Sequence, residues 1–232
     1  MLLAAMQPHF LPWCGYIALL DFVDEFIILD DIQFDKRSRQ QRNTINVNGN
    51  PFIITIPVLS KKKFNQNINE VEIYRDSNFV KKQKKTIYDA YSKKPFFEEY
   101  YDHICQIYDK NHKFLIDLNI EFIELFIDIL SINTKLIFKS SLNVKSKKDQ
   151  MIIDLCNSRK CKKYISPSGS RTYLEIIDQK NINFQIYLYK FKSKSYYNNQ
   201  NFLTNLSFLD LLFWRGKNSI EYIRENFQIN KL

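Results

Sequence analysis

Short runs of uninterrupted apolar residues alternate along this chain with longer stretches in which apolar positions recur every three or four residues. That is the pattern of strands buried in a sheet and of helices that cover it. Leu2 to Met6, small and apolar and closed by a proline turn, predicts a buried strand. Trp13 to Phe22 predicts a helix, and Glu25 to Leu29, rich in Ile and ending in Asp30-Asp31, a second strand. Strand, helix, strand is the order of a parallel unit, and it puts the acidic pair at the carboxyl end of the second strand.

Asn48-Gly49-Asn50 separates Thr44 to Val47 from Phe52 to Val58, and Asn-Gly between β-rich segments predicts an inserted hairpin because both residues tolerate positive φ. Lys61 to Asn69 turns polar and basic, as a surface loop does, and Val71 to Tyr74 predicts a strand that closes this part of the sheet. Over residues 79–132 apolar positions keep helical spacing, with breaks at Lys93-Lys94-Pro95 and Lys110-Asn111-His112, which predicts three helices. Strands follow at Lys135 to Phe138, Lys163 to Ile165 and Asn183 to Tyr189; helices follow at Lys148 to Asn157, Thr172 to Asp178, Ser207 to Trp214 and Ser219 to Asn226. The fold class expected is α/β, a mostly parallel sheet flanked by helices, with an inserted β-hairpin and a helical middle segment. No internal repeat or low-complexity linker divides residues 1–232, so one domain is expected.

Composition narrows the function classes. With 45% hydrophobic and 25% charged residues the chain is an ordinary globular protein. No charge-free run approaches the roughly 18 residues that span a bilayer, and Met1 to Met6 lacks the basic flank of a signal peptide. A cytoplasmic protein without membrane insertion is expected. The four cysteines, Cys14, Cys105, Cys156 and Cys161, form no paired C-x-x-C and read as reduced thiols. The net charge of +9 has two readings, a solvated lysine surface or attraction for an anion such as a nucleotide sugar, an acidic carrier protein or RNA. Lys61 to Lys63, Lys81 to Lys85 and Lys145 to Lys148 concentrate that charge, and no nucleic-acid-binding signature accompanies them.

Ligands of open parallel sheets bind beyond the carboxyl ends of the strands. Three polar groups are expected there: Gln7 to His9, Asp30 to Gln33, and Ser168 to Arg171. Their convergence depends on strand order, which the sequence leaves open. Adjacent residues at a strand end point in opposite directions, so one of Asp30 and Asp31 is expected to be free to orient an amine, accept its proton or hold a divalent metal. The competing reading is a helix cap or an ion pair with Arg37, Arg39 or Arg42. His9 is a candidate general base or else a structural hydrogen-bonding group. Gln33 to Asn43, with Lys36 and three arginines, can hydrogen-bond an anion or a sugar, and the hairpin after it could cover a pocket. Ser168-Gly169-Ser170-Arg171 before Thr172 can cradle phosphate or carboxylate. Ser168 lacks a G-x-S-x-G setting, Cys14 sits in an apolar helix, and His103 and His112 complete no metal set, so none of these is given chemistry.

Met6-Gln7-Pro8-His9-Phe10-Leu11-Pro12-Trp13-Cys14-Gly15-Tyr16, Asp24 through Asp30-Asp31-Ile32-Gln33, Gln41-Arg42-Asn43 and Thr55-Ile56-Pro57-Val58 closely resemble the WbqC-like family. Tyr164 to Leu174 and Leu206 to Phe213 resemble its C-terminal blocks, so the likeness covers nearly the whole chain. The family pattern marks Gln7, Pro8, Pro12, Gly15, Tyr16, Asp30, Asp31, Gln33, Arg42, Asn43, Gly169, Arg171 and Tyr173. His9 stands where many relatives have Tyr or Asn, and Cys14 where they often have an aliphatic residue. Members occur with genes for O-antigen and other surface polysaccharides, and a glycine transferase role has been proposed for some. The resemblance therefore implies an N-acyl or aminoacyl transferase acting on a nucleotide-linked amino sugar. His9, Asp30 and Asp31 are the candidate catalytic groups. Gln7, Gln33, Lys36, Arg42, Asn43, Ser168, Arg171 and Tyr173 are the candidate substrate contacts. No bound cofactor or metal is expected, and the donor would be acyl-CoA, an acyl carrier protein or an aminoacyl-tRNA. The alternatives are a metal-dependent glycosyltransferase-like enzyme using Asp30 and Asp31, and a non-catalytic nucleotide-sugar or carrier-binding module.

Overall fold

The computed structural model describes residues 1–61, 63, 65–75, 78–197 and 202–232; Lys62, within the first lysine run, lies outside them. The chain opens with strand β1 (Leu2–Met6), helix α1 (Cys14–Phe22) and strand β2 (Glu25–Ile28), then forms the hairpin β3 (Arg42–Val47) and β4 (Asn50–Thr55). Asn48 and Gly49 at its turn both have positive φ, 52° and 84°, as an Asn-Gly turn requires. Helices α2 (Phe79–Tyr91), α3 (Phe97–Asp109) and α4 (Leu115–Leu130) follow, then β5 (Lys135–Phe138), α5 (Lys148–Ser158), β6 (Lys163–Pro167) and the short α6 (Arg171–Leu174). Strand β7 (Gln185–Phe191), α7 (Phe208–Arg215), α8 (Ser219–Glu225) and β8 (Phe227–Lys231) complete the chain.

The main sheet has six strands in the order β5-β2-β1-β6-β7-β8; every pairing is parallel except β7 with β8, and the hairpin forms a separate two-stranded sheet. The fold class is therefore α/β. Counted by their place in this sheet, the strands run 3-2-1-4-5-6, the doubly wound order in which the chain reverses direction between β1 and β6. Alternate residues of each strand serve two cores, as the period of two demands. Ala4, Phe26 and Ile28 pack on one face with α1, α4 and α7; Leu3, Ala5, Ile27 and Leu29 pack on the other with Leu155 of α5 and Leu174 of α6. Among the described residues no helix is long and apolar enough to cross a membrane.

Three expectations need correction. Val71 to Tyr74 forms no strand; Ile73 and Glu72 make single bridges to Val58 and Phe114, after a 3-10 turn at Ile68–Glu70. The helix expected over Thr172 to Asp178 is the four-residue α6. Phe227–Lys231 is the antiparallel edge strand β8, where no element was expected.

Candidate functional site

The three polar groups at the carboxyl ends fall beyond β1, β2 and β6, which are adjacent in the sheet. Asp30 and Asp31, just beyond β2, diverge to opposite faces. Asp30 is buried and accepts hydrogen bonds from the Ser140 amide (2.9 Å) and hydroxyl (2.5 Å), beside a cavity walled by α4. Asp31 accepts both its bonds from the buried Lys139 Nζ at 2.8 Å and faces a different cavity. Neither carboxylate is free, and their partners come from the turn after β5 rather than from Arg37, Arg39 or Arg42. With the two carboxylates on opposite sides of the sheet, a metal shared between them does not fit this geometry. Among the described residues no group of three His, Cys, Asp or Glu side chains is placed to hold one.

The Asp31 cavity, about 650 Å³, lies over the ends of β2 and β5 and is lined by Gln33, Asn67, Lys139, Lys145, Lys147 and Lys148. Lys147, which precedes the eleven-residue α5, gives its first turn no side-chain cap, and Lys147, Lys148 and Met151 at this helix start line the same cavity. Four ammonium groups against one carboxylate give this cavity a positive balance of charge. Gln33 thus reaches the site, whereas Lys36 is exposed and donates to the Ser60 carbonyl at 3.0 Å.

The segment after β1 is held from within. Asn43, 4% exposed, donates to the carbonyls of Phe10 (3.3 Å) and Leu11 (2.6 Å) and accepts from Arg39 and the Thr44 amide. This bonding fixes Leu11 at φ 40°, left-handed backbone that a leucine rarely adopts. Gln40 donates to Gln7 Oε1 at 2.7 Å, and Asn119 of α4 donates to the carbonyls of Pro8 and Gln40. Gln7 and Asn43 are therefore positioning groups, and Arg42, half-buried in β3, begins the hairpin rather than lining the basic cavity.

His9 is sealed behind this segment. Burial, and then the Arg39 charge, hold its imidazole down at about 3, so the ring is neutral at physiological pH. It lies 4.8 Å from the Tyr16 ring, and His9 Nδ1 and the buried hydroxyls of Tyr16 and Tyr189 all lack a hydrogen-bond partner. Arg39 interacts electrostatically with both His9 and Tyr189 and covers Trp13 at 5.5 Å. Orphaned buried polar atoms of this kind, two of them within reach of a guanidinium, are costly unless something hydrogen-bonds them.

Beyond β6, Ser168–Ser170 is a 3-10 turn leading into α6. Arg171 is exposed and paired with Glu175 at 3.0 Å, and Tyr173 is exposed. Gly169 has negative φ and open space where a Cβ would stand, so nothing inside the chain demands glycine there. Cys14 is buried, which pushes its thiol well above the ordinary range and away from the nucleophilic thiolate. The hairpin does cover a cavity, but a different one, walled by α2 and α7 and floored by Asp210. Sequence reasoning passed over Lys139, Tyr189 and Asp210 because each is ordinary in its local context and acquires meaning only from neighbours distant in the chain.

The model of the WbqC-like protein family matches residues 7–222. The uncharacterized protein Rv1507c of Mycobacterium tuberculosis is 30% identical over 226 residues, covering 95% of this chain and 96% of its own length. No solved structure matches the chain.

Proposed function

The chain belongs to the WbqC-like protein family, and from that premise we propose that it is a transferase moving an acyl or aminoacyl group, glycyl among them, onto the amine of a nucleotide-linked amino sugar for bacterial surface polysaccharide. The observation that carries this reading is the cavity at the carboxyl edge, where Lys139, Lys145, Lys147 and Lys148 and the uncapped start of α5 surround Asp31. A diphosphate suits the lysines and the helix start. Asp31, with 29% of its side chain exposed, suits the sugar amine.

Of the three candidate bases, His9 is sealed and neutral and Asp30 faces the other side of the sheet. Asp31 is the one within the lysine-lined cavity. The amine nitrogen attacks the carbonyl carbon of the activated donor, the C–N bond forms, and the nitrogen becomes acidic as it does so. Asp31 takes the proton at that point, and the C–S or C–O bond to the donor breaks with its electron pair leaving on the thiolate or alkoxide. Lys139, bonded to both oxygens of Asp31, holds the carboxylate in place and supplies positive charge near the developing oxyanion. The donor is proposed as acyl-CoA, an acyl carrier protein or an aminoacyl-tRNA, each anionic and suited to a chain of net charge +9.

The bidentate Lys139 pair also favours a second reading, a nucleotide-sugar-binding module without turnover, because both oxygens of Asp31 are already engaged by one ammonium. Incubation of nucleotide-linked amino sugars with a panel of acyl and aminoacyl donors, read by mass spectrometry, separates the two. Transfer predicts a donor-dependent mass gain that Asp31→Asn lowers at least 100-fold while substrate binding persists. Binding without any mass gain across the panel would leave the module.

A further inference from the structure

The cavity under the hairpin lies apart from the lysine-lined one and has its own chemistry. It encloses about 620 Å³ between the hairpin residues Asn46, Asn48 and Gly49, the end of α2 with Tyr91 and Lys94, and Asp210 and Trp214 of α7. That volume suits a monosaccharide or an amino acid derivative. Asp210 is fully buried; one carboxylate oxygen, Oδ2, accepts from the Tyr196 hydroxyl, and the Tyr91 hydroxyl also interacts with the carboxylate, while Oδ1 has no partner at full hydrogen-bonding geometry. A buried carboxylate oxygen left unpaired is among the costliest groups in a folded chain. Tyr197 stacks on Trp214 with ring centroids 5.0 Å apart and planes 19° from parallel, which gives the cavity a flat apolar wall. Lys94 makes no ion pair with Asp210 within 4 Å; its Nζ lies over the Trp214 ring, 4.4 Å from the centroid. A cation thus already rests on the aromatic wall of this cavity, in contact with the ring and within electrostatic reach of Asp210.

We propose that this cavity binds a small molecule carrying a protonated primary amine, with the ammonium on Asp210 Oδ1 and the body of the molecule against Trp214 and Tyr197. The ammonium supplies the donors that Oδ1 lacks, and Lys94 swings out to solvent as the ligand cation takes its place. Asn48 offers its amide to hydroxyl or carbonyl groups on the same ligand, while Asn46, bonded to the Tyr197 hydroxyl and the Gly49 amide, holds the cavity wall in place. This site is independent of the transfer reaction proposed above and is tested by binding alone.

Calorimetric titration of the whole chain with glucosamine, glycine ethyl ester and N-acetylglucosamine tests it. Glucosamine and glycine ethyl ester distinguish an amino-sugar from an aminoacyl source, and N-acetylglucosamine has the same ring without the charge. At least one amine should bind tenfold or more tighter than N-acetylglucosamine, and Asp210→Asn should abolish that preference. Lys94→Met, at the half-buried rim and removed from the buried carboxylate, should strengthen amine binding severalfold because a competing cation is gone. Equal binding of charged and acetylated sugars, no binding of either amine, or weaker amine binding in Lys94→Met would overturn the assignment.

Discussion

At the residue scale, environment decides which ionisable groups can act. His9 looks from its neighbours in sequence like a base at the end of a strand, but the folded chain buries it beside Arg39 and keeps it neutral. The linkage is directional. The unfolded chain binds a proton at this residue near the ordinary value of 6.5, and the folded chain only near 3, so stability is fully present above pH 6.5 and is lost as pH falls toward 3. The loss from this group is on the order of 5 kcal/mol. Its ring signals in an NMR titration should stay in the neutral form from pH 8 down to pH 4.5, and His9→Gln should flatten the decline in stability over the same range. A midpoint near 6.5 would show that the ring is not sealed. The acidic pair illustrates what was legible and what was not. Its position at a strand end and the opposite facing of its two members follow from the apolar run before it and the strand's period of two. The partners Lys139 and Ser140 lie more than a hundred residues away and could not be read from local pattern.

At the element scale, most helices and strands were legible because burial imposes a period on them, and ends were set by recognisable breaks. β8 escaped because a five-residue edge strand, with Gln228, Asn230 and Lys231 among its positions, offers too short an apolar signal after a helix. The polar stretch Gln33 to Asn43 was legible as a special segment, and Gln33 at its start lines the Asp31 cavity. The buried amides of the stretch, Gln40, Gln41 and Asn43, bind backbone and the side chains of Gln7 and Arg39. Two glycines separate structure from ligand access within these connecting elements. A Cβ on Gly15 would stand 2.3 Å from the Trp13 ring, which lies against α1 and carries Arg39 on its face. Gly15→Ala should therefore cost about 1–3 kcal/mol in chemical denaturation, as overpacking does. Gly169→Ala meets open space and should leave stability within about 0.5 kcal/mol of wild type. Equal costs at the two positions would contradict this division.

At the scale of the whole molecule, strand order does what local pattern could not. The order β5-β2-β1-β6-β7-β8 brings three polar groups scattered over more than 160 residues to the ends of three adjacent strands, with the chain reversal between β1 and β6. Pairing of β1 with β6 depends on contacts that span most of the chain, so sequence reasoning could list the groups without saying that they share an edge. The same topology moves Lys145, Lys147 and Lys148, one basic run among three, to the mouth of the Asp31 cavity. Net positive charge thereby acquires a location as well as a sign. The most direct measurement is calorimetric titration of a nucleoside diphosphate amino sugar into wild type and into Lys147→Ala/Lys148→Ala, two exposed residues whose loss should leave the fold intact. Binding should weaken at least tenfold in the double variant, about 1.4 kcal/mol or more, and should weaken further in wild type as salt is raised. Unchanged affinity in a folded double variant would place the phosphates elsewhere and contradict the assignment of this edge as the substrate site.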